Sequence, residues 1–173
     1  MYLRLSTRQV LQVERANTDW EAGALKGGYW LRRPAAGAEA AIAFTGAIAP
    51  EVLAAYDQLL DDIPGLGILN VTSPDVLHRE WSASKAARWT DKNAQPCYAE
   101  DLLSVLAPDA GIVTVIDGSP GALSWLGGVQ GMRVSPLGTD RFGQTGDLPD
   151  LYAEYRLDSV AIIDAMAELF LKR

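Results

Sequence analysis

The sequence predicts an α/β fold, in which a mostly parallel sheet carries helices on both faces. Short apolar runs at 40–44, 66–71 and 111–116 have the length and the continuous apolar character of strands that are covered on both faces. Each run is followed by a turn and then by a predicted helix. Strands that alternate with helices along the chain form parallel sheets through crossover connections.

The predicted helices are placed by proline and by apolar spacing. After the first strand, Pro50 stands where the first helical turn tolerates it, and apolar residues recur at helical spacing up to Ile63. A helix from Pro74 is predicted to end at Trp81, because 82–96 is polar and irregular. Further helices are predicted at 98–106, 122–130, 148–155 and 159–171, with a last short strand at 132–137.

The last predicted helix is apolar almost all round. One face carries Ile162, Met166 and Leu169, and a second carries Val160, Ile163, Ala167 and Phe170. Only a narrow stripe of charged residues separates them. Such a helix either lies deep in its own domain or covers a partner.

The chain is predicted to form one domain, with residues 1–38 preceding an α/β core at 39–173. Residues 2–6 alternate as a short strand, which we place at a sheet edge because it carries an arginine. Residues 7–28 are polar without a clear period and are predicted to form an arm or a long loop. Residues 29–34 are predicted to form a strand that pairs with the next strand as a hairpin.

Length and charge exclude several classes of function. The 173 residues, of which 49% are hydrophobic and 21% charged, suit one folded domain. A net charge of −7 argues against nucleic acid or an anionic membrane as the main partner. The apolar runs fall short of the roughly 20 residues that cross a bilayer. No signal-peptide pattern opens the chain, so we expect a soluble, cytoplasmic protein.

The single cysteine and the single histidine limit the chemistry further. Cys97 has no partner for an internal disulfide, which favours a reducing compartment, and one cysteine with one histidine is too few for a zinc site. Cys97 is predicted to be a packed structural thiol. His78 is predicted to be a surface side chain, because no partner for a catalytic base is visible. The tryptophans are either core residues or contacts to other domains.

A candidate anion-binding turn contains Asp117 and Ser119. It follows the strand at 111–116 and opens a helix, which places it at the carboxyl end of the sheet, where open α/β folds bind ligands. Asp117 is itself negative, however, and the turn lacks a glycine-rich phosphate-binding pattern. Capping of the helix by Asp117 or Ser119 is the favoured interpretation.

A second candidate is the loop formed by Thr139, Asp140, Arg141 and Phe142. Arg141 is a candidate contact for a phosphorylated substrate or for a neighbouring subunit, with Phe142 filling a pocket. Flanking glycines permit the tight turns of a purely structural loop. A structural or interface role is favoured, because interfaces are enriched in aromatic residues and arginine.

Several segments, taken in order, resemble the C-terminal domain of transketolase-type thiamine-diphosphate enzymes, and most closely that of the homodimeric pyruvate dehydrogenase component. Residues 2–8 resemble the strand that opens that domain, and 25–31 resemble its Gly-Xaa-Tyr segment. The turns at 43–46 and 70–73 resemble its strand-to-helix turns. The most specific segment is 137–146, which resembles the family's Gly-Xaa-Asp-Xaa-Phe-Gly loop.

The resemblance implies a three-layer α/β/α domain whose sheet has about five strands, one of them an antiparallel edge strand. It implies the third of three domains, present here as a fragment or a separate subunit. The other two domains bind thiamine diphosphate and magnesium, so this domain is expected to bind neither and to hold no catalytic, cofactor-binding or metal-binding residue. Its implied roles are dimer packing and active-site access.

The resemblance also implies a parent enzyme and its partners. That enzyme would decarboxylate pyruvate and pass the two-carbon unit to a lipoyl acyltransferase, and a transketolase acting on sugar phosphates is the close alternative. The expected partners are a second copy of the chain, the other domains of the parent and that acyltransferase. Two interpretations of another class remain open: a flavodoxin-like module that holds a nucleotide or flavin at the strand ends, and a pure dimerisation domain.

Overall fold

A five-stranded mixed sheet organises the chain, as the fold class predicts. The structure is a computed structural model, which describes residues 9–10, 13–15, 17–141 and 145–171. The strands follow the order β1-β3-β2-β4-β5 across the sheet. They are β1 (Gly28–Arg32), β2 (Ala38–Thr45), β3 (Gly67–Val71), β4 (Leu106–Ile116) and β5 (Arg133–Leu137).

The predicted hairpin between the strand at 29–34 and its successor is wrong. β1 pairs antiparallel with β3, and β3 separates it from β2. The reason is that β2 already has parallel partners on both of its edges, β3 and β4. β1 therefore adds at the free edge of β3 and is the antiparallel edge strand. The strand predicted at 2–6 lies outside the described residues.

Helices cover both faces of the sheet. In chain order they are α1 (Trp20–Leu25), α2 (Ala49–Leu59), α3 (Pro74–Ala87), α4 (Tyr98–Leu103), α5 (Gly121–Ser124), α6 (Gly127–Gln130), α7 (Leu148–Glu154) and α8 (Ser159–Leu171). Three differ from the predictions. α1 forms within the segment predicted as an arm or loop, α3 continues beyond Trp81, and the helix predicted at 122–130 is divided into α5 and α6.

Gly127, the first residue of α6, packs closely against the segment that follows the helix. A Cβ atom at this position would come within 2.4 Å of the Val134 side chain and 2.7 Å of the Met132 carbonyl oxygen, so only glycine fits. The Met132 N–H donates to the Gly127 carbonyl at 2.8 Å, which turns the chain back towards β5. Glycine in a helix interior also lowers helix propensity.

Each face of the sheet has its own apolar core. On one face, α2, α7 and α8 pack over side chains such as Ile42, Ile68 and Val113. On the other face, α3 to α6 pack over side chains such as Leu69 and Ile112. Within the described part of the chain, no helix is long and apolar enough to span a membrane.

α8 buries one of its two apolar faces. Ile162 and Met166 are fully buried in the core, and Leu169 is nearly so. On the second face, Val160 is exposed, whereas Ile163 and Phe170 are half-buried. The helix therefore lies in its own domain and still presents an apolar stripe at the surface.

A side-chain clamp joins the end of α3 to the start of α4. Arg88 pairs with the carboxylate of Glu100, and the backbone N–H of Cys97 donates to Glu100 Oε2 at 2.8 Å. The second contact belongs to a capping box at the start of α4, in which the Cys97 side chain accepts in return from the Glu100 backbone N–H. The hydrogen bond from Arg88 holds the pKa of Glu100 at about 2, below its ordinary value of 4.5.

Glu100→Gln is expected to lower the free energy of unfolding by about 1–2 kcal/mol at neutral pH, because it removes the charge from the ion pair and the capping box. The carboxylate stabilises the fold only while it is ionised. Since its folded pKa is depressed, that contribution is present above pH 4.5 and is lost as the pH falls towards 2. Urea unfolding at several pH values measures it.

The difference between the parent chain and Glu100→Gln should therefore shrink across this acid range. Asp101→Asn, one residue away and exposed, is the matched control and should change stability by less than about 0.5 kcal/mol. If the difference in the free energy of unfolding between the two proteins stays constant from neutral to acid pH, the ionised Glu100 carboxylate does not stabilise the fold.

Thr114 is the one buried polar residue in the described core. It lies on β4 with 0% of its surface exposed, and its Oγ1 has no hydrogen-bond partner among the described residues. It is paired in register with Ala43 of β2 and Pro136 of β5. A buried hydroxyl without a partner costs stability, since it has lost its hydrogen bonds to water.

Thr114→Val is expected to raise the free energy of unfolding by about 1 kcal/mol, because it replaces the unpaired hydroxyl with a methyl group of similar size. Thr114→Ser is the matched variant, which keeps the hydroxyl and loses the methyl group, and it should lower stability. Chemical denaturation of the unsubstituted chain and the two variants measures these differences in the free energy of unfolding. A valine variant less stable than the parent chain would show that the hydroxyl has a partner.

Candidate functional site

Three turns meet at the carboxyl end of the sheet. They follow β2, β4 and β5, and they contain Gly46, Asp117 and Gly138, respectively. Gly46 has φ +89°, a left-handed conformation that favours glycine, and a Cβ atom there would lie 2.7 Å from Asp117 Oδ1. The Asp117 carboxylate is therefore packed directly against the turn that follows β2.

The two candidate loops from the sequence contact each other at this edge. The N–H of Thr139 donates to the Gly118 carbonyl at 2.8 Å. A Cβ atom at Gly138 would lie 2.5 Å from that same carbonyl oxygen, so the close approach requires glycine. The structure thus brings the Asp117–Ser119 turn and the loop beginning at Thr139 together.

The geometry of the Asp117–Ser119 turn offers little to an anion. Pro120 occupies the N-cap position of α5 and makes no side-chain capping hydrogen bond, and a capping role of Asp117 or Ser119 stays a prediction. The Ser119 carbonyl accepts from the Ala122 N–H at 3.1 Å. α5 is a four-residue helix, and Asp117 adds negative charge beside it. Anion binding at Asp117 and Ser119 stays a prediction.

Arg141 makes contacts within its own domain. Its side chain lies 3.4 Å from Asp140 Oδ1 and 3.5 Å from Glu154 Oε1, and all three side chains are exposed. The hydroxyl of Tyr155 donates to the Arg141 carbonyl at 3.3 Å. These contacts tie the loop to α7. Phe142 lies outside the described residues, so the interface role of Thr139, Asp140, Arg141 and Phe142 stays a prediction.

A cluster of aromatic side chains lies on the outer side of α3 and α5. Ring centroids are 5.4 Å apart for Trp81 and Trp125, and 5.1 Å apart for His78 and Trp125. Lys85 Nζ lies 4.7 Å from the Trp81 ring centroid. Beyond Lys85, Trp89 is 89% exposed. We call His78, Trp81, Lys85, Trp89 and Trp125 the aromatic surface.

The aromatic surface also contains a shallow groove. Its volume is about 380 Å³, and it is lined by Trp81, Lys85 and Trp89 with two small residues between them. His78 is exposed, as predicted, but its packing against two tryptophans was not. The spacing of positions 78, 81, 85 and 89 on one helix face could have indicated the cluster, whereas Trp125 comes from a distant segment.

Cys97 is a packed thiol, as predicted. It is 4% exposed at the start of α4, within the core on the α3 side of the sheet. Burial raises the pKa of its thiol, which keeps the sulfur protonated and a poor nucleophile at neutral pH. Cys97 therefore contributes packing to the capping box of α4.

The described residues do not fit a magnesium site. They contain no group of three or more histidine, cysteine, aspartate or glutamate side chains that could hold a metal ion. Magnesium requires oxygen ligands converging in an octahedral arrangement.

Solved structures of transketolases have the same fold. Transketolase from Leishmania mexicana superposes with a TM-score of 0.60 and 13% identity, over 86% of this chain and 18% of that chain. Transketolase from Campylobacter jejuni superposes with a TM-score of 0.57 and 15% identity, over 83% of this chain and 18% of that chain. A split-gene transketolase, described as an inactive β4 tetramer, superposes with a TM-score of 0.56 and 16% identity, over 84% of this chain and 43% of that chain.

The chain thus spans less than a fifth of the first two transketolases and under half of the third. No family model and no curated protein matches the sequence. At these identities the likeness is one of fold. The chain folds as a transketolase-like α/β domain.

Proposed function

We propose that this chain is the C-terminal, non-catalytic domain of a transketolase-like, thiamine-diphosphate-dependent enzyme, in which it supplies contact surface for assembly and borders the approach to the active site. The observation that carries the proposal is the aromatic surface on α3 and α5. Trp81 and Trp125 are half-buried against the core of their own domain, whereas Trp89 is 89% exposed beside them. A large apolar side chain exposed next to partly exposed rings favours a partner that covers it. Interfaces concentrate tryptophan at their centres.

The fold supports a domain of a larger enzyme. Each full transketolase that it resembles has more than four-fifths of its length outside the matched region.

The parent enzyme is proposed to be a transketolase, because the similar structures carry that name. Those structures include complexes with sugar phosphates such as sedoheptulose 7-phosphate. A pyruvate dehydrogenase component is the second candidate, and the resemblance of the loop at 137–146 favours it. A lipoyl acyltransferase would be a partner in that case only. A cytoplasmic location suits either enzyme.

The proposed partner of the aromatic surface is a second copy of the chain. A precedent comes from the split-gene transketolase, a shorter polypeptide that is described as a β4 tetramer. Aromatic rings that stack between two copies of the chain exclude water from the interface. They lose little side-chain entropy, because an aromatic side chain has only two rotatable χ angles. Lys85 lies at the edge of the groove, where a ring of the partner would meet both a cation and an indole face.

The chain is expected to form a dimer that depends on concentration, and Trp89→Ala should raise the dimer dissociation constant about tenfold or more. The reason is that truncating a central aromatic residue typically costs about 2 kcal/mol of binding free energy. Sedimentation equilibrium measures the constant. Val160→Ala is the matched control, since Val160 is exposed on α8, on the opposite face of the sheet. A monomer at all concentrations, or equal effects of both variants, would refute this assembly.

The isolated chain is expected to show no turnover when thiamine diphosphate and magnesium are supplied. Two assays measure this: ketol transfer from xylulose 5-phosphate to ribose 5-phosphate, and pyruvate oxidation with ferricyanide. A full-length transketolase and a full-length pyruvate dehydrogenase component, assayed in parallel, show that the reagents of the respective assays work. Turnover by this chain that survives repurification would contradict a non-catalytic role.

A further inference from the structure

A cleft runs along the outer edge of β1, at the opposite side of the sheet from β5. It has a volume of about 720 Å³, within the range of small-molecule sites. α1 forms one end, and Tyr98 and Leu102 of the α4 segment form another part of its wall. We call it the edge cleft. It shares no residue with the aromatic surface or with the turns at the carboxyl end of the sheet.

Aromatic rings in the edge cleft are held in fixed positions. The Trp30 indole N–H donates to the Leu102 carbonyl at 3.0 Å, and the Tyr98 hydroxyl donates to the Gly28 carbonyl at 2.9 Å. The rings of Trp20 and Tyr29 lie 5.5 Å apart. Rings whose polar atoms are already bonded to the backbone offer preorganised apolar surfaces to a ligand.

Hydrogen bonds also fix the back of the cleft. The buried hydroxyl of Tyr29 accepts from Arg15 at 2.8 Å and from the Asn70 side-chain amide at 2.9 Å. The Arg15 guanidinium lies 4.3 Å from the Trp20 ring centroid. Gly23 allows α1 to approach this closely, because a Cβ atom there would meet the Tyr98 hydroxyl at 2.7 Å.

The edge cleft is cationic in an acidic protein. Its lining has four cations, Arg15, Lys26, Arg32 and Arg33, and two carboxylates, on Glu14 and Asp19, so that 4 − 2 gives a local charge of +2. The whole chain carries −7. Among the described residues, Arg32 and Arg33 are exposed and form no ion pair, so their charges remain available to a ligand. Lys26 Nζ already lies 5.0 Å from the centroid of the Tyr98 ring.

We propose that the edge cleft binds a nucleoside phosphate, with the base against the aromatic wall and the phosphates at Arg32 and Arg33. Guanidinium groups match phosphate oxygens in pairs of hydrogen bonds, and planar bases stack on aromatic side chains. A long polyanion is disfavoured, because outside the cleft it would meet the net negative charge of the chain. A compact anion that fits inside the cleft is attracted by the local positive charge and does not approach the negatively charged remainder of the surface.

The test is isothermal titration calorimetry of the 173-residue chain at low ionic strength with three probes: ADP, adenosine and inorganic pyrophosphate. ADP should bind about tenfold or more tightly than either of the others, since only ADP has both the ring and the phosphates. The double substitution Arg32→Gln with Arg33→Gln should weaken ADP binding by about tenfold or more. Both side chains are exposed, so the fold should survive, as a thermal melt will show.

Arg79→Gln is the matched control, because Arg79 is an exposed arginine on α3 that does not line the cleft. It should leave ADP binding within about twofold of the parent chain. Failure to bind ADP at millimolar concentration would overturn the proposal. If pyrophosphate binds as tightly as ADP, the aromatic wall does not bind the base. If adenosine binds as tightly as ADP, the arginines do not bind the phosphates. If Arg79→Gln weakens ADP binding as much as the double substitution does, ADP binds outside the edge cleft.

Discussion

The fold depends on the burial of the central part of β2 between two parallel neighbours. Its residues from Ala40 to Phe44 are almost without exposed surface, and both of its edges are taken by β3 and β4. A parallel strand of this kind needs helices on both faces, because water cannot reach either side. Because β2 to β5 run parallel, they end at one edge of the sheet, where the turns with Asp117 and Thr139 meet, and β1 is left to the outer edge.

The local pattern of the sequence was sufficient for the fold class but not for the pairing of β1. Apolar runs and helical spacing depend on neighbouring residues, so the core strands and most helices could be predicted from them. The partner of β1 is decided by which strand edge is free after the parallel core forms, which is a long-range property. The close packing of Gly127 against Met132 and Val134 is likewise not indicated by the local pattern.

The candidate sites show the same limit. The sequence placed the turn with Asp117 at the carboxyl end of the sheet but gave no position for the loop that begins at Thr139. The structure brings the two together through the hydrogen bond from the Thr139 N–H to the Gly118 carbonyl, because turns after parallel strands share an edge. The aromatic surface and the edge cleft combine segments that are distant along the chain, such as Trp81 with Trp125 and Tyr29 with Tyr98. No local spacing indicates such pairs, and only the packing of the helices on the sheet creates them.

The central claim is that this domain serves in assembly, and that its aromatic surface forms the interface with a second copy of the chain. Hydroxyl-radical footprinting of the chain across a range of concentrations, with oxidation measured by peptide mass spectrometry, tests it directly. The account predicts that oxidation of Trp89 slows as concentration rises, while Leu25, exposed to a similar degree on α1, keeps its rate. An unchanged rate at Trp89 under conditions where the chain self-associates would contradict it.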